Sequence, residues 1–495
     1  MKARIRIDPQ KTIGAIDPRL YSSFIEQMGR AVYTGIYEPG HPSADEYGFR
    51  TDVAALIRPL NLSCIRYPGG NFLSGYDWKD GIGPRESRPA RPDMAWSAVE
   101  PNEVGTDEFL RWCARIGAEP MMGVNLGTGT PREAAELLEY CNSDMPTYWA
   151  DRRRKNGHAE PYRVRLWCLG NEMDGPWQIC AKTAEEYGRI ACETGKLMKM
   201  LDPSIELVAC GSSYRAMPTF GAWEREVLRR CYPYVDYLSL HQYYQNPDGD
   251  VMSFLARSEE MAAFIDEVAG ICGEVRAELG QEKPIRLSFD EWNIWYHYHK
   301  DGREPPKWTV ARPIEEERFD FADALLAGGM LITLMNHADV VKIACLAQLV
   351  NVIAPIMTEP GGRAWVQTIY WPFLYASRFG RGTALALETD GPTYRCAVGD
   401  AVPYLTSAAV LSEDGGEISV FLVNRHPDEP MRLELDAGFG GMTEWLSMYG
   451  TPPDAVSGPD GPDAAPREMP LVGLGDVALP PASWNLIRLR RGEPV

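Results

Sequence analysis

Short apolar runs recur through the first three quarters of the chain: Tyr21–Phe24, Leu62–Tyr67, Pro120–Asn125, Arg165–Leu169, Glu206–Cys210, Val235–Leu240, Ile285–Phe289 and Val341–Leu346. They are rich in β-branched and aliphatic residues and nearly continuous, as in parallel strands covered on both faces. Segments of helical period lie between several of them. Thr130-Pro131-Arg132-Glu133 supplies a capping residue, a proline at the first helical position and the glutamate of a capping box, with Ala134, Leu137 and Leu138 on one face. Thr183 and Glu186 open a second helix, which Asp202-Pro203 stops. Thr106 and Gly117 bracket a third, with Phe109, Leu110 and Cys113 turned inward. Eight strands alternating with helices predict an α/β fold, a (β/α)8 TIM barrel. The alternative, a doubly wound sheet, would place a Gly-rich phosphate loop after its first strand, and none follows Phe24.

Past residue 380 the helical period disappears and alternation takes over. Tyr404–Leu411, a turn at Asp414-Gly415-Gly416 and Glu417–Val423 predict a hairpin, and Trp484–Leu489 a further strand. Pro452–Pro466, rich in Pro, Gly, Ala and Asp, reads as a surface loop. The tail is expected to form a C-terminal antiparallel β-sandwich. Ala3, Ile5 and Ile7 alternate with Lys2, Arg4 and Arg6, so the N-terminus is expected to add a strand to it. The expected division is residues 1–13 with the sandwich, 14–378 as the barrel and 379–495 as the sandwich proper.

Composition narrows the partners. The chain has 495 residues and a net charge of -19, which repels nucleic-acid backbones and favours a neutral substrate. Its 11 cysteines show no metal-binding C-x-x-C spacing, and several sit in apolar runs, as reduced thiols of a cytosolic protein do. The N-terminus lacks an apolar signal segment, and no apolar stretch is long enough to span a bilayer. The expectation is a cytoplasmic protein with no membrane partner.

In such a barrel the chemistry sits at the C-terminal ends of the strands. The residues there are Glu26, Asn71, Asn125, Asn171-Glu172, Ser212, His241, Glu291 and Gln348. Amides and carboxylates dominate, with hardly any Lys or Arg. That set suits vicinal hydroxyls and not phosphate. Glu172 and Glu291 each end an apolar strand, the fourth and the seventh. Two carboxyls on one rim can cleave a glycosidic bond, one protonated to assist the leaving oxygen and the other ionised to attack carbon. Asp290 is expected to point away from its neighbour and to be structural, because successive strand residues alternate faces.

Six segments resemble the glycoside hydrolase family 51 α-L-arabinofuranosidases: FIEQMGR from Phe24, RYPGGNFLSGYDWKDGIGP from Arg66, GNEMDGPWQ from Gly170, LHQYY from Leu240, DEWN from Asp290 and AQLVNVIAPI from Ala347. The resemblance implies retaining removal of terminal non-reducing α-L-arabinofuranosyl groups from arabinose-containing glycans. It implies Glu172 as general acid/base and Glu291 as nucleophile, with Glu26, Asn71, Asn171 and Gln348 holding the sugar. It implies Asn171 against the 2-hydroxyl, Tyr243 bonded to the nucleophile, His241 beside the carboxylate pair, and a homo-hexamer. Trp96 and Trp295 lie on rim loops where indoles can stack on sugars. No metal or other cofactor is expected: His297 and His299 read as rim loop residues, since divalent sites need three or four convergent ligands. Two other readings are a related barrel glycosidase acting on a β-xyloside or β-glucan, and a sugar-binding protein without catalysis.

Overall fold

A computed structural model of the chain describes residues 1–297, 304–460 and 464–490. Eight parallel strands close into a barrel in chain order: Ser22–Phe24, Cys64–Tyr67, Glu119–Val124, Leu166–Leu169, Glu206–Ala209, Tyr237–Tyr244, Arg286–Ile294 and Val341–Ala347. The fourth strand explains why these runs are apolar throughout. Leu166 and Cys168 fill the barrel lumen with Phe24, Met121, Val208 and Ile343. The alternate residues Trp167 and Leu169 face the outer helices. Both faces of this strand pack against apolar side chains, which is why the run is apolar throughout.

The helix ends follow the side-chain chemistry. Thr130 with Glu133 and Thr183 with Glu186 form reciprocal caps on helices Pro131–Asn142 and Ala184–Leu201. Helix Thr106–Ile116 ends at Gly117, whose φ of 80° closes it in the left-handed region. The longest apolar run falls in helix Phe321–Asn336, which is buried on every side between barrel and tail. A Cβ on Gly328 of this helix would meet Trp484 at 2.4 Å, so glycine is what lets the two elements touch. No helix among the described residues is long and apolar enough to cross a membrane.

The C-terminal domain is mostly sheet, with nine strands in one hydrogen-bonded order. Leu405–Leu411 and Glu417–Asn424 form an antiparallel hairpin, and Ser483–Arg490 pairs with the second of them. The N-terminal strand Lys2–Ala15 lies between Thr383–Asp390, antiparallel, and Met431–Asp436, parallel. Ile5, Ile7, Leu433 and Trp445 share a core that is separate from the barrel's. All eleven cysteines are unpaired thiols.

Candidate active site

The floor of the site is built around a buried cation. Arg66, next to last in the second strand, has a side chain 1% exposed that lies 4.7 Å from the Phe24 ring. Its Nη1 donates to Glu291 Oε1 at 2.6 Å and its Nη2 to Asn171 Oδ1 at 2.7 Å. Its Nε lies 3.5 Å from Asp290 Oδ2. A buried guanidinium is tolerable only with such partners.

Asp290 does not point away, which corrects the alternation argument. Ser288 pairs with Ser239, but the next partners up the strand are Glu291 and His241. The seventh strand therefore carries one extra residue, a β-bulge. A bulge breaks the two-residue period. Consecutive carboxylates consequently face the same interior: Asp290 accepts from His241 Nε2 at 3.0 Å, and Glu291 Oε2 accepts from the Tyr243 hydroxyl at 2.7 Å. Burial, then the Glu291 charge, push the Tyr243 phenol well above its ordinary range, so it stays a donor.

Glu172 stands on a different support. The fourth strand ends at Leu169, Gly170 turns at φ 88°, and Glu172 itself has φ 44°. A non-glycine residue there costs of order 1 kcal/mol or more, which the surrounding contacts must outweigh. The Glu172 carbonyl accepts from Gly175 N at 2.8 Å. Its carboxylate Oε1 lies 2.9 Å from His241 Nδ1, and Oε2 accepts from the Trp177 indole at 2.7 Å. Trp177 is 45% exposed.

His241 bridges the two carboxyls, with Nδ1 also 3.7 Å from Glu291. Burial disfavours its charge, but Glu291, Asp290 and Glu172 together push it up to about 10. It is therefore an imidazolium at neutral pH, donating from both nitrogens. One oxygen of Glu172, one of Glu291 and a ring nitrogen of His241 all lie within 4.8 Å of one another. Among the described residues this is the one group with metal-ligand spacing. A metal needs a free imidazole nitrogen, and carboxylates occupy both of His241's.

Neutral hydrogen-bonding groups surround the pair. Glu26 is 3% exposed; its Oε1 accepts from Phe72 N and from the Trp96 indole, each at 2.9 Å. Burial pushes its carboxyl up to about 8 against those bonds, with Glu291 adding to the rise. A Cβ on Gly70 would meet this carboxyl at 2.2 Å, which is why glycine precedes Asn71. Gln348 Oε1 accepts from Glu26 N at 2.8 Å, and Asn171 Nδ2 approaches Asn71 Oδ1 at 3.4 Å. Trp295 donates to Glu315 Oε2 at 2.8 Å and meets Tyr243 edge-on, with ring centres 5.0 Å apart. His297 lies against Trp295 at 4.4 Å, and His299 falls outside the described residues.

Two strand-end residues serve the scaffold. Asn125 ties its own loop through Tyr76, Thr128, Gly127 and Gly129. Ser212 N donates to Glu224. Reading strand ends missed Arg66, Asp290 and Trp177. A lone arginine inside the apolar run Leu62–Tyr67 was the available signal for the first.

A parallel barrel that gathers two buried carboxyls, a bridging histidine and hydrogen-bonding amides and carboxyls at one rim defines a glycoside hydrolase. Family models agree: residues 56–261 match the α-L-arabinofuranosidase 1 domain and residues 290–483 the α-L-arabinofuranosidase C-terminal domain. The chain is 50% identical to intracellular exo-α-(1→5)-L-arabinofuranosidase 1 of Bacillus subtilis, over 99% of each chain. It is 54% identical to the intracellular exo-α-(1→5)-L-arabinofuranosidase of Halalkalibacterium halodurans, over 88% of this chain and 87% of that one. A solved family 51 α-L-arabinofuranosidase from Bifidobacterium longum superposes with a TM-score of 0.94 at 39% identity, over 99% of each chain. The chain belongs to the α-L-arabinofuranosidases of glycoside hydrolase family 51 and hydrolyses α-L-arabinofuranosyl bonds.

Proposed function

We propose that the enzyme removes terminal non-reducing α-L-arabinofuranosyl groups by double displacement with retention, with Glu172 as general acid/base and Glu291 as nucleophile. The observation that supports it is the approach of their oxygens within 4.8 Å. Retaining enzymes hold their carboxyls about 5–5.5 Å apart, and inverting ones leave about 6.5–9.5 Å for a water. In the first step Glu291 bonds the anomeric carbon, the bond from that carbon to the glycosidic oxygen breaks, and the Glu172 proton passes to that oxygen, which leaves as the alcohol of the aglycone. Arg66 and Tyr243 each donate to the Glu291 carboxylate and hold it in its aim. In the second step water bonds that carbon, its proton goes to Glu172, and the ester electrons return to Glu291. Ester formation removes a negative charge beside Glu172, which favours its turn as base.

Glu26, Asn71, Asn171 and Gln348 hold the furanose, Asn171 at the 2-hydroxyl, and Trp96 and Trp295 shape the entrance. The relatives' names support an α-(1→5) linkage and an intracellular site of action. The N-terminal strand's pairing supports grouping residues 1–13 with 379–495 around the catalytic unit 14–378. A homo-hexamer rests on family resemblance and is checked by light scattering. The mechanism is tested by NMR of the first product anomer from 4-nitrophenyl α-L-arabinofuranoside, run beside the β-D-xyloside. Retention is expected; an inverted first product removes Glu291 from its role, and preference for the xyloside overturns the substrate.

A further inference from the structure

Both oxygens of Glu172 accept hydrogen bonds in the free enzyme, one facing His241 and the other the Trp177 indole. A donor aimed at a carboxylate favours the ionised form. An acid catalyst must instead present a proton, so one donor has to leave. His241 is buried, and its second nitrogen is fastened to Asp290. Trp177 is the solvent-facing donor of the two. It is half-exposed, on the loop after Glu172, and its ring lies against the exposed ring of Tyr214 at 6.1 Å and 23°. Asp174 ties the two loops together by accepting from Ser213 N and Oγ. The indole thus has a defined resting place beside Oε2.

We propose that Trp177 is a positioning residue that switches Glu172 between its two roles, a step that rests on the acid/base reading of Glu172. When the glycosidic oxygen occupies the space at Oε2, the indole N–H is displaced and Glu172 holds the proton it will donate. Once the leaving group has departed, the N–H returns to Oε2 and stabilises the carboxylate that receives the proton of water. A carboxylate oxygen has two lone-pair sites, so the indole and the attacking water share it until the proton crosses. The other ionisable groups around Glu172 are His241 and Tyr243 on the sixth strand, Glu291 on the seventh and Asp174 on its own loop. Trp177→Phe leaves all of them in place and keeps an aromatic ring against Tyr214.

The test compares Trp177→Phe with the parent enzyme. For an arabinose disaccharide, the alkaline limb of kcat/KM is expected to move up by about one pH unit, the shift equal to about 1.4 kcal/mol of lost carboxylate stabilisation. With a 2,4-dinitrophenyl arabinofuranoside, the glycosyl-enzyme is expected to accumulate as a burst and kcat to fall about tenfold, because Glu172 has lost the donor that stabilises it as the base of the second step. Tyr214→Leu, which keeps the N–H, is expected to raise KM and leave both limbs in place. If Trp177→Phe moves neither limb and only raises KM, the indole acts by stacking alone and the proposal falls. The reading beneath it fails separately, if Glu172→Ala slows good and poor leaving groups equally and azide does not rescue it.

Discussion

Glu291 and Glu172 are the same residue type within 4.8 Å of one another, yet they stand on unlike ground. Glu291 projects from a bulged strand onto a floor of Arg66, Tyr243, Asp290 and His241, and it is fixed by two direct donors. Glu172 sits beyond its strand in a left-handed conformation, on a loop whose nearest donor is half-exposed. A nucleophile needs one charge state and one aim through the approach to carbon, and a rigid polar floor supplies both. An acid/base must change charge twice per turnover, which a softer rim permits. The unlike supports match the unlike duties proposed for the two residues.

The largest expected effect breaks that comparison at the floor. Glu291→Ala is expected to lower kcat by about 10⁴-fold or more for every substrate, since no leaving group replaces a nucleophile. Steady-state rates with a disaccharide and a nitrophenyl glycoside check it; loss confined to the disaccharide would reverse the assignments. Glu172→Ala is expected to cost about 10²–10⁴-fold on the disaccharide and far less on a dinitrophenyl arabinofuranoside, which departs without a proton. Added azide should restore its turnover and trap an α-arabinofuranosyl azide, the retained anomer, seen by mass spectrometry and NMR.

Stability sharpens the contrast further. Arg66→Met leaves Asp290 and Glu291 buried without their shared cation, a change that costs about 3–5 kcal/mol. Denaturant unfolding measures it, with Trp177→Phe expected to fall within about 0.5 kcal/mol of the parent, as exposed positions do. Equal losses in the two variants would show that the floor is no more tightly built than the rim.

The same division decided what the sequence could tell. The barrel was legible because strands dry on both faces read as unbroken apolar runs, and helix starts such as Thr130 and Thr183 carry their own caps. Glu172 and Glu291 were legible because they end such runs. Asp290 was hidden by the bulge, which no propensity marks and which turns two successive side chains one way. Arg66 stood in plain view inside an apolar run, but its function depends on partners 105 and 225 positions away. The order of the tail's sheet was beyond local pattern, because the N-terminal strand inserts between elements nearly 400 residues distant.

The smallest predicted effect concerns the wall proposed to hold the sugar, where burial outweighs charge. Glu26 is pushed up to about 8, chiefly by desolvation and further by Glu291, against the bonds from Phe72 and Trp96. Both of those donors meet Oε1, and Oε2 has only the long 3.5 Å contact from Gln348 Nε2, which makes Oε2 the oxygen to carry the proton. The native carboxyl therefore holds more protons than the unfolded chain between the ordinary carboxylate range and about 8. Its contribution to stability is complete below that range and disappears as pH rises to about 8. A neutral carboxyl can donate to a hydroxyl, and an ionised one only accepts. KM is expected to rise several-fold as pH passes about 8, while kcat changes less. Glu26→Gln keeps a neutral donor at every pH, so its KM should be flat there and its melting temperature should fall less between about pH 5 and pH 9. If parent and variant share one pH dependence of KM, the wall is not held by a protonated carboxyl, and Glu26 joins Glu291 as a group that binds through charge.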